Sequence, residues 1–140
     1  RQVTLIRNPK IYGPGAVATA ATLKALKALD FTSAVTVTDY LADELIVGQT
    51  SGAQAYVVEI DAASGYIYYH QNAKTGYKPF QNGENITGQT SSTSGALEAS
   101  SALRTPEVHP GTGDIMFLEN RNPINRTTTQ IEDIKVIIEF

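Results

Sequence analysis

Apolar and polar positions alternate in short runs along most of the chain, the period of β-strands more than of helices. Val3-Thr4-Leu5-Ile6 is apolar on both parities and stops at Asn8-Pro9, which predicts a buried strand closed by a turn. Gly13-Pro14-Gly15 predicts a second turn. Residues 16–29 change character: Ala, Leu and Lys dominate, and Val17, Ala20, Leu23 or Lys24, and Leu26 or Leu29 form a helical stripe. They predict a helix, with a strand as the competing reading, because Ala16, Ala18 and Ala20 with Thr19 and Thr22 also permit alternation.

From Phe31 to Leu103 short β-branched or Tyr-rich runs are separated by Gly, Ser, Asn and Thr, the rhythm of a small all-β unit. Strands are predicted at residues 35–38, 45–47, 55–60 and 66–70, with Ser64-Gly65 turning the last pair into a hairpin. Glu44-Leu45-Ile46-Val47-Gly48-Gln49-Thr50-Ser51 recurs as Glu84-Asn85-Ile86-Thr87-Gly88-Gln89-Thr90-Ser91, identical at six of eight positions. Two copies are too few for a solenoid, so the echo predicts a pseudo-symmetric small barrel or a pair of hairpins. Residues 88–101, rich in Ser, Thr and Gly, predict a mobile surface loop or a sheet edge.

After Arg104 the apolar texture returns in Asp114-Ile115-Met116-Phe117-Leu118-Glu119, apolar on both faces and therefore expected in a central position. Asn120-Arg121-Asn122-Pro123 breaks that run, and Ile134, Val136, Ile138 and Phe140 share one parity of a final strand. Burying those four stabilises by at most roughly 6–12 kcal/mol, enough to make the strand essential to the fold. The fold class expected is mainly β, α+β with one short helix: a small core sheet carrying an inserted, small β-barrel-like module. Residues 1–30 and 104–140 would form the core domain and residues 31–103 the inserted module. The start at Arg1, inside an alternating stretch and without an initiator Met, predicts the C-terminal part of a longer protein.

Composition narrows the function more by exclusion than by assignment. With 41% hydrophobic and 18% charged residues and a net charge of −3, the chain has a globular profile without the basic excess that phosphate neutralisation needs, which argues against nucleic acid as the partner. There is no cysteine, so disulfides, thiolate metal sites and cysteine nucleophiles are excluded. The longest apolar runs, such as Val136-Ile137-Ile138, are too short to span a bilayer, and no cationic membrane face is evident.

No catalytic constellation emerges. His70 and His109 lack a His-x-x-x-His or Glu-x-x-His partner spacing, no Ser sits in a Gly-x-Ser-x-Gly elbow, and Gly111-Thr112-Gly113 leads into a strand rather than a helix. Asp39, Asp43 and Glu44 lack the alternating ligands of a calcium loop and read as a solvated charge cluster. Tyr40, Tyr56, Tyr66, Tyr68 and Tyr69, with Tyr77 and Phe80 beyond, predict either a carbohydrate or protein contact surface or the filling of the barrel. The most distinctive polar cluster is Glu119, Asn120, Arg121, Arg126, Gln130, Glu132 and Asp133, bracketed by two apolar runs. Bidentate pairing of Arg121 or Arg126 with a carboxylate would make it a structural clasp or an interface.

Gly113-Asp114-Ile115-Met116-Phe117-Leu118-Glu119-Asn120-Arg121-Asn122-Pro123-Ile124, followed by residues 130–140, resembles the C-terminal signature of a baseplate wedge subunit of T-even-like contractile-tailed phages. Residues 1–9 resemble that family's strand before an Asn-Pro turn, whereas residues 31–103 depart from it and resemble small Gly-Thr-Ser-rich β modules inserted in phage structural proteins. The resemblance implies a non-enzymatic virion component of the tail baseplate, assembled in the host cytoplasm, homodimeric in its full-length form and bound to other baseplate wedge proteins, with no cofactor. The competing expectations are a carbohydrate-binding module of a tail appendage and a non-catalytic fragment of a hydrolase.

Overall fold

A computed structural model describes residues 2–13, 15–109 and 111–120. The fold is mainly β, in two antiparallel sheets. β1 (Gln2–Arg7) and β9 (Asp114–Asn120) form a two-stranded ribbon. The second sheet has seven strands: β2 (Lys27–Asp30), β3 (Leu45–Gly48), β4 (Gln54–Asp61), β5 (Tyr66–His70), β6 (Asn85–Gly88), β7 (Ser94–Ala96) and β8 (Leu103–Arg104), ordered β7-β6-β3-β4-β5-β2-β8. Backbone pairing links the ribbon to this sheet: His109 N–H donates to the Lys10 carbonyl at 2.7 Å, and Glu107 N–H to that of Lys24 at 2.8 Å.

The helix expected at residues 16–29 is absent. That stretch holds a three-residue 3-10 turn, Ala20–Thr22, and then β2. Helix propensity is a weak preference, and here β5 on one side and β8 on the other supply ladder partners that bury Ala28 and Leu29. The run at 35–38 likewise is not a strand, because local bonds such as Asp39 N–H to the Thr36 carbonyl wind it into a 3-10 turn, Val37–Asp39. Nor does the sheet close into a barrel. It curls until Phe31, just past β2, meets Leu97, just past β7, at one isolated bridge. The 88–101 stretch forms an edge, β7, and buries Gly95 and Leu97.

Alternation along the strands fills the interior with Leu29, Ile46, Val57, Ile67, Ile86 and Leu97. Tyr40 and Tyr69 join this core, while Tyr56, Tyr66 and Tyr68 stand half-buried on the outer face. The Tyr40 hydroxyl donates to the Ile86 carbonyl at 2.8 Å, which satisfies its one buried polar atom. Burial pushes the ionisation of both Tyr40 and Tyr69 up to about 12.

The repeated octets contribute two neighbouring strands of the sheet, next to the β7 edge. β3 and β6 run antiparallel with Val47 opposite Thr87, flanked by Ile46 opposite Gly88 and Gly48 opposite Ile86, so a local two-fold axis relates the copies. Each glutamate serves the other copy. The buried Glu84 carboxylate accepts from the backbone N–H of Thr50 and Ser51 and from the Ser51 hydroxyl, as well as from its own Gln81 N–H at 2.7 Å. Glu44 does the same for Thr90, Ser91 and Leu41. The expectation of a solvated charge cluster therefore fails for Glu44, which is buried in a clasp, while Asp39 and Asp43 are exposed. Burial raises both carboxyls, but the combined hydrogen bonds outweigh it and hold them below the usual range. Gly48 and Gly88 leave the room: a Cβ at Gly48 would lie 2.6 Å from both the Glu84 carboxylate and the Ser51 hydroxyl.

Candidate functional site

The ribbon reverses the burial expected of its residues. Leu5 opposes Phe117 on one face, and Thr4–Leu118 and Ile6–Ile115 pair on the other, with Met116 as the extra residue of a bulge. Phe117 keeps 54% of its surface exposed, Leu118 63% and Ile115 67%. The predicted buried strand at 3–6 and the predicted central strand at 114–119 are thus strands, but exposed ones, because each pairs only with the other among the described residues. Single exposed apolar residues are ordinary, whereas a contiguous patch marks an interaction surface.

The structure places two residues of the predicted polar cluster at the end of this ribbon: Glu119 opposite Val3, and Asn120 opposite Gln2. Arg121, Arg126, Gln130, Glu132 and Asp133 lie outside the described residues, as does the run at 134–140.

The outer face of the seven-stranded sheet carries three aromatic rows where β4 and β5 pair. Two are covered by the chain's own cations. Lys24, ion-paired with Glu59, sits 4.7 Å from the Tyr68 ring centroid, and Arg104, ion-paired with Asp30, sits 5.2 Å from that of Tyr66. The third row is Tyr56 beside His70, with ring centroids 5.6 Å apart and planes within 26° of parallel.

That third row opens into a cavity of about 540 Å³ lined by Asp43, Tyr56, His70, Asn72, Ala73 and Lys74. Its walls are held from behind. Asp43, at φ 63°, donates its N–H to the Val57 carbonyl beside the Glu44 clasp. The Asn72 side chain accepts from the N–H groups of Lys74 and Thr75 and so fixes the turn that carries Lys74. Among the described residues, the Asp43 carboxylate, Tyr56 hydroxyl, His70 imidazole and Lys74 ammonium have no hydrogen-bond or ion-pair partner within the chain. The sequence marked Asp43, Tyr56 and His70 separately; Asn72 and Lys74 carried no signal of their own. A second cavity, about 400 Å³ between residues 32–38 and the turn at 62–65, has Glu98 as its one ionisable wall residue. Comparison with protein-family models, characterised proteins and solved structures finds no match to this chain.

Proposed function

We propose that the chain is a non-catalytic assembly module, a structural component of a phage tail baseplate wedge that holds neighbouring subunits of the contractile tail in the virion. The observation that carries this reading is the ribbon, with large apolar side chains exposed on both faces. Two strands alone are marginal in water, and an exposed apolar edge invites pairing with another chain. A neighbouring wedge subunit that covers Leu5 and Phe117 on one face and Ile6, Ile115 and Leu118 on the other completes the element. Support of a separate kind comes from the sequence: of the stretches that resemble the wedge subunit, residues 1–9 and 113–124 contain the two strands of the ribbon, and residues 130–140 lie outside the described residues.

The test is replacement of Phe117 and Leu118 by Lys in the full-length protein during particle assembly. The expected result is a folded protein that no longer co-purifies with tail structures. Normal incorporation of the double variant contradicts the reading.

A further inference from the structure

We propose that the groove bounded by Asp43, Tyr56, His70, Asn72 and Lys74 is a binding site for a neutral saccharide. Of the three outward aromatic rows, this is the one whose rings no cation covers among the described residues, and both rings line the groove, which offers the apolar face of a pyranose ring aromatic surface to lie against. The polar groups around it have unused hydrogen-bonding capacity: a carboxylate that accepts, an ammonium that donates, and a phenol and an imidazole that do both. Sugar hydroxyls are both donors and acceptors, so this mixed set suits them. One carboxylate and one ammonium balance in charge, which favours neither a phosphate-like anion nor a cation. The cavity, about 540 Å³, falls in the size range of small-ligand sites.

The repeat provides an independent argument. At the positions equivalent to Asp43 and Tyr56, the second copy has Gly83 and Ala96. Gly83 adopts φ 74° freely, whereas Asp43 holds the same left-handed conformation at a cost of about 1 kcal/mol. The clasp is built equally well around a glycine, so the fold does not require an aspartate there. Its carboxylate stands at the groove despite the strain, and the aromatic wall occurs in this copy alone.

The test is ¹H–¹⁵N chemical-shift titration of the protein with chitotriose, maltotriose and cellotriose as neutral probes and sialyllactose and a heparin disaccharide as anionic ones. At least one neutral probe should give saturable shifts confined to the amides of Asp43, Tyr56, His70, Asn72 and Lys74, with a dissociation constant of about 1 mM. Tyr56→Ala should weaken that binding about tenfold or more. Asp43→Gly, which copies the backbone of the second repeat and so keeps the fold, should also weaken it while leaving the melting temperature unchanged or higher. No saturable shift from any neutral probe up to about 20 mM overturns the proposal. So does binding of the anionic probes alone, or binding that Asp43→Gly leaves intact.

Discussion

Ile67 in the seven-stranded sheet and Ile115 in the ribbon are the same residue in the same kind of antiparallel ladder, yet one is wholly buried and the other 67% exposed. The difference lies in what covers them. In the sheet, alternation turns Ile46, Ile67 and Ile86 toward a shared interior, and the clasps tie the turns of the two repeats to each other. In the ribbon, apolar residues occupy both faces, and a two-stranded element has no interior of its own. Among the described residues the sheet completes its burial within the chain and the ribbon does not, and on the proposed reading a neighbouring subunit completes it.

The largest separation of the two regions should come from the clasps. Glu84→Ala leaves the buried N–H of Ser51 and the part-buried N–H groups of Thr50 and Gln81 without their acceptor; at about 1–3 kcal/mol for the buried donor and less for the two that water can reach, the loss is on the order of 2–5 kcal/mol. Glu44→Ala should behave alike, because its bonds mirror these. Urea denaturation measures both, and a loss under about 1 kcal/mol would show that the clasps do not hold the sheet.

Gly48→Ala is expected to be milder, about 1–3 kcal/mol, because the clasp must open by a fraction of an ångström to admit a methyl group. Substitution of exposed Thr4 by Val in the ribbon should fall within about 0.5 kcal/mol of the parent.

Acid should act on the sheet first. Both clasp carboxyls sit below the usual range when folded, so their contribution is complete above the unfolded value of about 4.3 and is lost as the pH falls through their folded values. The denaturation midpoint should therefore be insensitive to these groups near neutrality and drop in acid. In the Glu44→Gln, Glu84→Gln double variant the starting stability should be lower and that part of the acid drop missing. An unchanged acid drop would detach it from the clasps. The smallest effect belongs to the ribbon's Arg7–Asp114 pair, 3.5 Å apart and exposed at both ends: Arg7→Ala should change stability by at most about 0.5 kcal/mol.

The central strands were legible because local pattern and tertiary environment agree there. Leu45–Gly48, Gln54–Asp61 and Tyr66–His70 alternate in sequence and pack in alternation, and Gly65, at φ 73°, makes the predicted hairpin turn. Lys27–Asp30 was hidden because Ala and Leu favour a helix until β5 and β8 flank them, contacts that no local window contains. The repeat was visible, but not that each glutamate caps the turn of the other copy, since that exchange exists only once β3 and β6 lie antiparallel. The ribbon's two runs read as buried because apolar content on both faces is what a central strand and these exposed strands share. For the groove, Asp43, Tyr56 and His70 stand on successive elements and, with Lys74 four residues after His70, meet only through the β4–β5 pairing and the turn after it. Of the predicted polar cluster, Glu119 and Asn120 fall on the ribbon and the rest lies beyond the described residues.

Amide hydrogen exchange on the full-length protein, free and within assembled tail particles, compares the two regions directly. The amides of Ile46, Ile67 and Ile86 should be protected in both states, while those of Leu5, Ile6, Ile115 and Phe117 should exchange quickly in the free protein and become protected on assembly. A ribbon already as protected as the sheet in the free protein, or one that gains no protection in the particle, would contradict the claim that the ribbon is completed by a partner.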